Sequence, residues 1–131
     1  MAVYGKGNQT RGFLNLKDTM KCVYLSATQP AERGQLRIFN QLTELFSVNQ
    51  LANKVKQIGD KLGYHVTINH IENPRVEKEE HYYNVHYTGL LELGLEPHFL
   101  TDEVLENFFT ITAKYKDRIN KDAFFRGIKW K

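Results

Sequence analysis

The sequence holds a single cysteine, Cys22, among 131 residues. That excludes an internal disulfide framework and suits a reducing compartment. No apolar run approaches the roughly 20 residues of a membrane helix. Met1 to Gly7 carries no apolar signal core, so the expected location is cytoplasmic, with no membrane partner. Charge of one sign is not concentrated either. The net charge is +3, and bases alternate with acids, as in Lys54, Lys56, Asp60 and Lys61. A nucleic-acid interface would gather positive charge on one face beside aromatics, so nucleic acid is not an expected partner.

What is present is enough for one ordinary domain spanning residues 1–131. The apolar fraction is 41% without glycine, which a chain of this length can bury as a core. Tyr4 to Thr10 reads as a Gly/Asn-rich loop and Phe13 to Leu16 as a short strand. Asp18 is the expected N-cap of a helix from Thr19 to Ala27 that carries Met20, Val23, Tyr24 and Ala27 on one face. Leu36 to Phe39 alternates and reads as a strand. Ser47 with Gln50 forms a capping box before Val48, Leu51, Val55, Ile58 and Leu62 at helical spacing, and Gly63 ends that helix. His65 to His70 alternates as a strand. Asn73-Pro74 opens a polar loop, Arg75 to Glu80. A helix is expected from Val85 to Leu93, stopped by Gly94. Thr101 caps the last helix, with Val104, Phe108, Ile111 and Tyr115 as its buried stripe. Irregular structure is expected from Asn120 to Trp130. The order gives a mixed α/β fold, helix-rich with short strands.

Gly5-x-Gly7-x-x-Thr10 has the outline of a dinucleotide loop but lacks its third glycine. It is also read as following no strand and opening no helix, so it is rejected. Glu79, Glu80, His81 and His86 have no helical ligand spacing, so no metal is expected. Cys22, within a helix and without a neighbouring histidine in sequence, reads as inert packing.

Several blocks together carry a resemblance. Tyr4-Gly-Lys-Gly-Asn-Gln-Thr-Arg-Gly-Phe13 is similar to a segment of extended short-chain dehydrogenases that act on sugar nucleotides. Arg37-Ile-Phe-Asn-Gln-Leu-Thr-Glu-Leu-Phe-Ser-Val-Asn-Gln-Leu-Ala52, Asn73-Pro-Arg-Val-Glu-Lys-Glu-Glu-His-Tyr-Tyr-Asn84 and Leu93-Gly-Leu-Glu-Pro-His98 narrow it. With these the chain resembles UDP-sulfoquinovose synthases, NAD-dependent members of the epimerase/dehydratase superfamily, over nearly its whole length. The part resembled is the C-terminal, substrate-binding half, without the N-terminal dinucleotide-binding half.

The resemblance implies an enzyme that oxidises UDP-glucose, eliminates water, adds a sulfite-derived sulfonate at C6 and reduces the sugar again. It also implies a plastid-stroma location in a photosynthetic eukaryote. The family's base is a Tyr-x-x-x-Lys pair, and none of the seven tyrosines here has a lysine four residues on. No catalytic or NAD-binding residue is therefore expected in this chain, and activity of the chain alone is not expected. UDP-glucose or a related UDP-sugar is the implied ligand. By the resemblance, Arg11 and Arg75 hold the diphosphate, which guanidinium forks match bidentately. Gln9 and Thr10 approach the uridine, Tyr4 packs on the base, and Glu77 or Glu79 bonds the ribose. Asn40 either touches the substrate or holds backbone. A separate NAD-binding half, or self-association, is the expected protein partner. A stand-alone UDP-sugar module or a fragment without function is the alternative, since every residue is shared.

Overall fold

The computed structural model describes residues 1–73 and 85–120. The elements in chain order are β1 (Ala2–Tyr4), β2 (Thr10–Phe13), α1 (Leu16–Thr28), β3 (Glu44–Ser47), α2 (Val48–Lys61), β4 (Asn69–Ile71), α3 (Gly89–Glu92) and α4 (Asp102–Lys114). A 3-10 turn, Lys116–Arg118, follows α4. The fold is mixed α/β, helix-rich with short strands. It divides into two compact units, one of Met1–Gln9, Ser47–Glu80 and Thr101–Lys131, the other of Thr10–Phe46 and His81–Leu100. The polar loop Arg75 to Glu80 and the tail beyond Asn120 lie outside the described residues.

In the first unit β1 and β4 pair in parallel, with Val3 opposite His70. Both arms of the Ser47/Gln50 capping box are formed, and Gly63 follows α2 with φ +82°. Helix α2 packs on α4 through Gly59. A Cβ there would stand 2.4 Å from Val66 Cγ2 and 3.0 Å from the Phe109 ring, so only glycine admits the contact. Phe109 in turn stacks on Tyr64, with ring centroids 5.3 Å apart.

Two expectations fail in this unit. The strand His65 to His70 shrinks to β4, because α2 side chains satisfy the backbone of Val66. Asp60 Oδ1 accepts its N–H at 2.6 Å, and Lys56 Nζ donates to its carbonyl at 2.8 Å. The hydrogen bond from Lys56, then that from Val66, holds the Asp60 carboxyl below its ordinary range. The stripe expected inside α4 is also turned away from the core. Thr101 caps the helix as expected, but Leu105 is its buried residue, while Phe108, Ile111 and Tyr115 are 56%, 55% and 41% exposed. Apolar residues occupy two neighbouring faces of α4, and the face bearing Leu105 and Phe109 is the one turned inward.

In the second unit β2 pairs with β3, and the Phe13 and Phe46 rings meet at 5.8 Å. The strand expected over Phe13 to Leu16 therefore lies earlier, at Thr10–Phe13. Leu36 to Phe39 is not a strand. Leu36 and Ile38 are exposed, and Phe39 packs against the core of Cys22, Leu25, Leu90 and Leu95. The expected helix Val85 to Leu93 is reduced to α3. Asn40 takes the carbonyl of His86, and Gly89 lies against the Phe39 ring where a Cβ would be 3.0 Å away.

Asp18 is not a cap. Asn15 caps α1, its Oδ1 accepting the Lys17 N–H at 3.0 Å. Asp18 lies one turn in, fully buried, on the face with Cys22 and Leu25. Its Oδ2 accepts the backbone N–H of His98 at 2.7 Å, and its Oδ1 accepts from His98 Nδ1 at 2.6 Å. A carboxylate out of water needs such donors. It thereby ties α1 to the segment that follows Pro97. Met20, Val23 and Tyr24, with Leu16, do share a face of α1, and that face is exposed. Burial, reinforced by the negative charge of Asp18, pushes the Cys22 thiol up.

Asp18→Ala should cost about 2–3 kcal/mol in urea unfolding, from stranded donors. Glu103→Ala, in the exposed first turn of α4, should cost under about 1 kcal/mol. Equal losses would show that the Asp18–His98 tie carries no stability. Cys22 should resist thiol reagents at neutral pH until the chain unfolds.

Candidate functional site

The Gly5–Gln9 loop is built on backbone that only glycine adopts readily, with φ +63° at Gly5 and +74° at Gly7. It is fastened at both ends. Gly5 N–H donates to the Ile71 carbonyl at 2.9 Å, and His70 Nδ1 donates to the Gly5 carbonyl at 2.8 Å. On the other side Asn49, the second residue of α2, clamps the loop. Its side-chain amide donates to the Lys6 carbonyl at 2.8 Å and to Asn8 Oδ1 at 3.1 Å. Its backbone N–H donates to the Gly7 carbonyl at 2.9 Å, and Val48 N–H donates to that of Gln9 at 3.3 Å.

An α-helix begins with four N–H groups that lack partners inside it. Here Val48 and Asn49 give theirs to the loop, Gln50 donates to Ser47 Oγ, and Ser47 donates to Gln50 Oε1. The first turn of α2 is thus fully used, and no N–H remains there for a phosphate. The Gly5-x-Gly7 sequence does follow a strand, β1, contrary to expectation. It runs on into strand β2 and opens no helix.

The candidate residues divide by unit. In the first, Tyr4 ends β1 and is 42% exposed. Gln9 is half-buried, and its Oε1 is buried without a hydrogen-bond partner among the described residues. In the second, Thr10 and Arg11 open β2 and are half-buried, with Arg11 Nη1 donating to the Thr10 carbonyl at 3.2 Å. Asn40 is exposed, and its Nδ2 donates to the His86 carbonyl at 2.7 Å. That engagement matches the backbone-holding alternative for Asn40. Arg75, Glu77 and Glu79 lie outside the described residues. His70 and Asn49 were not among the candidates, and the structure shows both fixing the loop. Asn49 lay inside a legible block, Ser-Val-Asn, but nothing local in sequence links it to Lys6.

The chain is 47% identical over 131 residues to the chloroplastic UDP-sulfoquinovose synthase of Spinacia oleracea. It is 39% identical over 133 residues to the UDP-sulfoquinovose synthase of Sulfolobus acidocaldarius. Each match covers 100% of this chain but only 27% and 34% of these two relatives, so the chain spans about a third of their length or less. No protein-family model matches it. Along its whole length, the chain is similar to part of these enzymes.

At Gly7 a Cβ would fall 2.3 Å from Asn49 Oδ1 and 2.8 Å from Val3 Cγ1, on top of the positive φ. Gly7→Ala should therefore loosen the clamp and cost about 1–3 kcal/mol. Hydrogen exchange at the Val48 and Asn49 amides reports it directly. Unchanged protection there would contradict the clamp.

Proposed function

We propose, from a chain similar throughout to part of UDP-sulfoquinovose synthase, that it is that enzyme's UDP-sugar-binding portion and performs no chemistry alone. The observation that carries this reading is the Gln9-Thr10-Arg11 sequence held at the exit of a fastened glycine loop, within a match that leaves no part of the chain out.

The physical case starts from the diphosphate. Its charge needs donors that are themselves charged, and the first turn of α2 has no free N–H to lend. Recognition then falls to guanidinium groups, each charge-assisted bond contributing about 1.5–3 kcal/mol. Arg11 is one such group and Arg75 the other. Gln9 Oε1, buried without a partner among the described residues, suits an N–H donor of a base or a ribose hydroxyl. Tyr4, partly exposed at the start of the same loop, offers an aromatic face for the uracil.

The described residues do not fit NAD. The glycine loop leads into a strand, and the nearest helix start is consumed by its own caps. No step through that cofactor is assigned to this chain. The hydride and sulfonate chemistry belongs to an NAD-binding half outside these residues. The exposed face of Leu16, Met20, Val23 and Tyr24 on α1 is the surface offered to it. Co-expression with such a half should cover this face.

Calorimetry with UDP-glucose tests the reading. Arg11→Ala or Arg75→Ala should weaken binding by about 1.5–3 kcal/mol, while Lys61→Ala changes it little. UDP should keep most of the affinity and free glucose none. Equal losses at Arg11 and Lys61, or micromolar binding of NAD, would contradict it.

A further inference from the structure

Asn49 is an odd choice for the second residue of a helix that needs nothing from its side chain. The Ser47/Gln50 box already closes the start of α2, and asparagine is a weaker helix former than alanine. The side chain serves the loop instead. Both Nδ2 hydrogens are committed, one to the Lys6 carbonyl at 2.8 Å and one to Asn8 Oδ1 at 3.1 Å. The backbone N–H of the same residue holds the Gly7 carbonyl at 2.9 Å. One residue thus grips three consecutive loop positions and keeps no N–H for a ligand.

The loop has few other means of holding its shape. Gly5-Lys6-Gly7-Asn8-Gln9 carries no apolar side chain to bury, so hydrogen bonds must fix it against its own freedom. Gly7 is fitted to Asn49, since a Cβ there would meet Oδ1 at 2.3 Å. What the grip leads to is Gln9. Its carbonyl accepts from the N–H of Val48, the neighbour of Asn49, at 3.3 Å. Its Oε1 is buried without a hydrogen-bond partner among the described residues. A buried acceptor left unpaired costs stability, and it is tolerable where an incoming donor completes it. For that donor the acceptor must already stand in place.

We propose that Asn49 is a positioning residue for the sugar nucleotide. It touches no part of the ligand, and it sets affinity by holding Lys6 to Asn8 so that Gln9 Oε1 is presented in advance. The inference rests on the UDP-sugar reading. With the grip intact, binding has little loop freedom left to remove, and without it the ordering of the loop opposes binding. His70 holds the Gly5 carbonyl from β4 by a separate bond at 2.8 Å, so the loss falls on Lys6 to Gln9.

Calorimetry with UDP-glucose on the parent chain and on Asn49→Ala tests this. Alanine keeps the backbone N–H and is the better helix former, so the circular-dichroism spectrum should not change. The dissociation constant should rise about tenfold, with the loss in the entropy of binding. Amide resonances of Lys6 to Gln9 in the ligand-free chain should shift and broaden, while those of β4 stay. The effects should not add: in a Gln9→Ala background, Asn49→Ala should weaken binding by less than about twofold more. Unchanged affinity of Asn49→Ala beside a parent chain that binds would overturn the role alone. Full additivity with Gln9→Ala would also overturn it, since Asn49 would then act elsewhere, and a lost helical signal would make Asn49 a folding residue instead. A parent chain that binds no UDP-glucose would fail the UDP-sugar reading itself, and the role with it.

Discussion

The four N–H groups that start α2 set the layout of the Gly5–Gln9 loop. Two of them are taken by the carbonyls of Gly7 and Gln9, and the other two close the Ser47/Gln50 box. Asn49 adds its side chain to the same loop. One helix start therefore holds in place a segment about forty residues upstream. A loop fastened in this way loses little further entropy when a ligand arrives, which is how preorganisation supports affinity. The same saturation removes the helix start as an anion site, so any phosphate recognition in this region must come from side chains.

The second unit rests on a different kind of constraint. Asp18 is fully buried, and it is tolerable there because His98 supplies both a backbone and a ring N–H. This brings the segment beyond Pro97 against α1, over the core of Cys22, Leu25, Leu90 and Leu95. Glu44 repeats the device with the Leu100 N–H at 2.7 Å. Carboxylates take the place of strand pairing in holding these connections.

The parts legible in the sequence are those whose causes are local. The Ser47/Gln50 box, the Thr101 cap and the terminators Gly63 and Gly94 depend on residues within a few positions, and each stands where the spacing puts it. The misplaced elements have distant causes. Asp18 looks like a cap until His98, eighty residues away, claims it. Leu36 to Phe39 alternates as a strand should, but Glu44–Ser47 is what pairs with β2. Phe109 rather than Phe108 turns inward on α4 because Gly59 of α2 and Tyr64, beyond the end of that helix, receive its ring. The candidate site divides in the same way. Gln9, Thr10 and Arg11 are legible as a motif, while Asn49 and His70, which hold the Gly5–Asn8 stretch, had no local mark.

Sugar-nucleotide recognition at the Gly5–Arg11 segment is what we propose. An amide chemical-shift titration of the labelled chain with UDP-glucose tests it most directly. Saturable shifts are expected centred on Gly5 to Arg11, with α4 from Asp102 to Lys114 left unmoved. Shifts confined to α4, or none at saturating ligand, would contradict it.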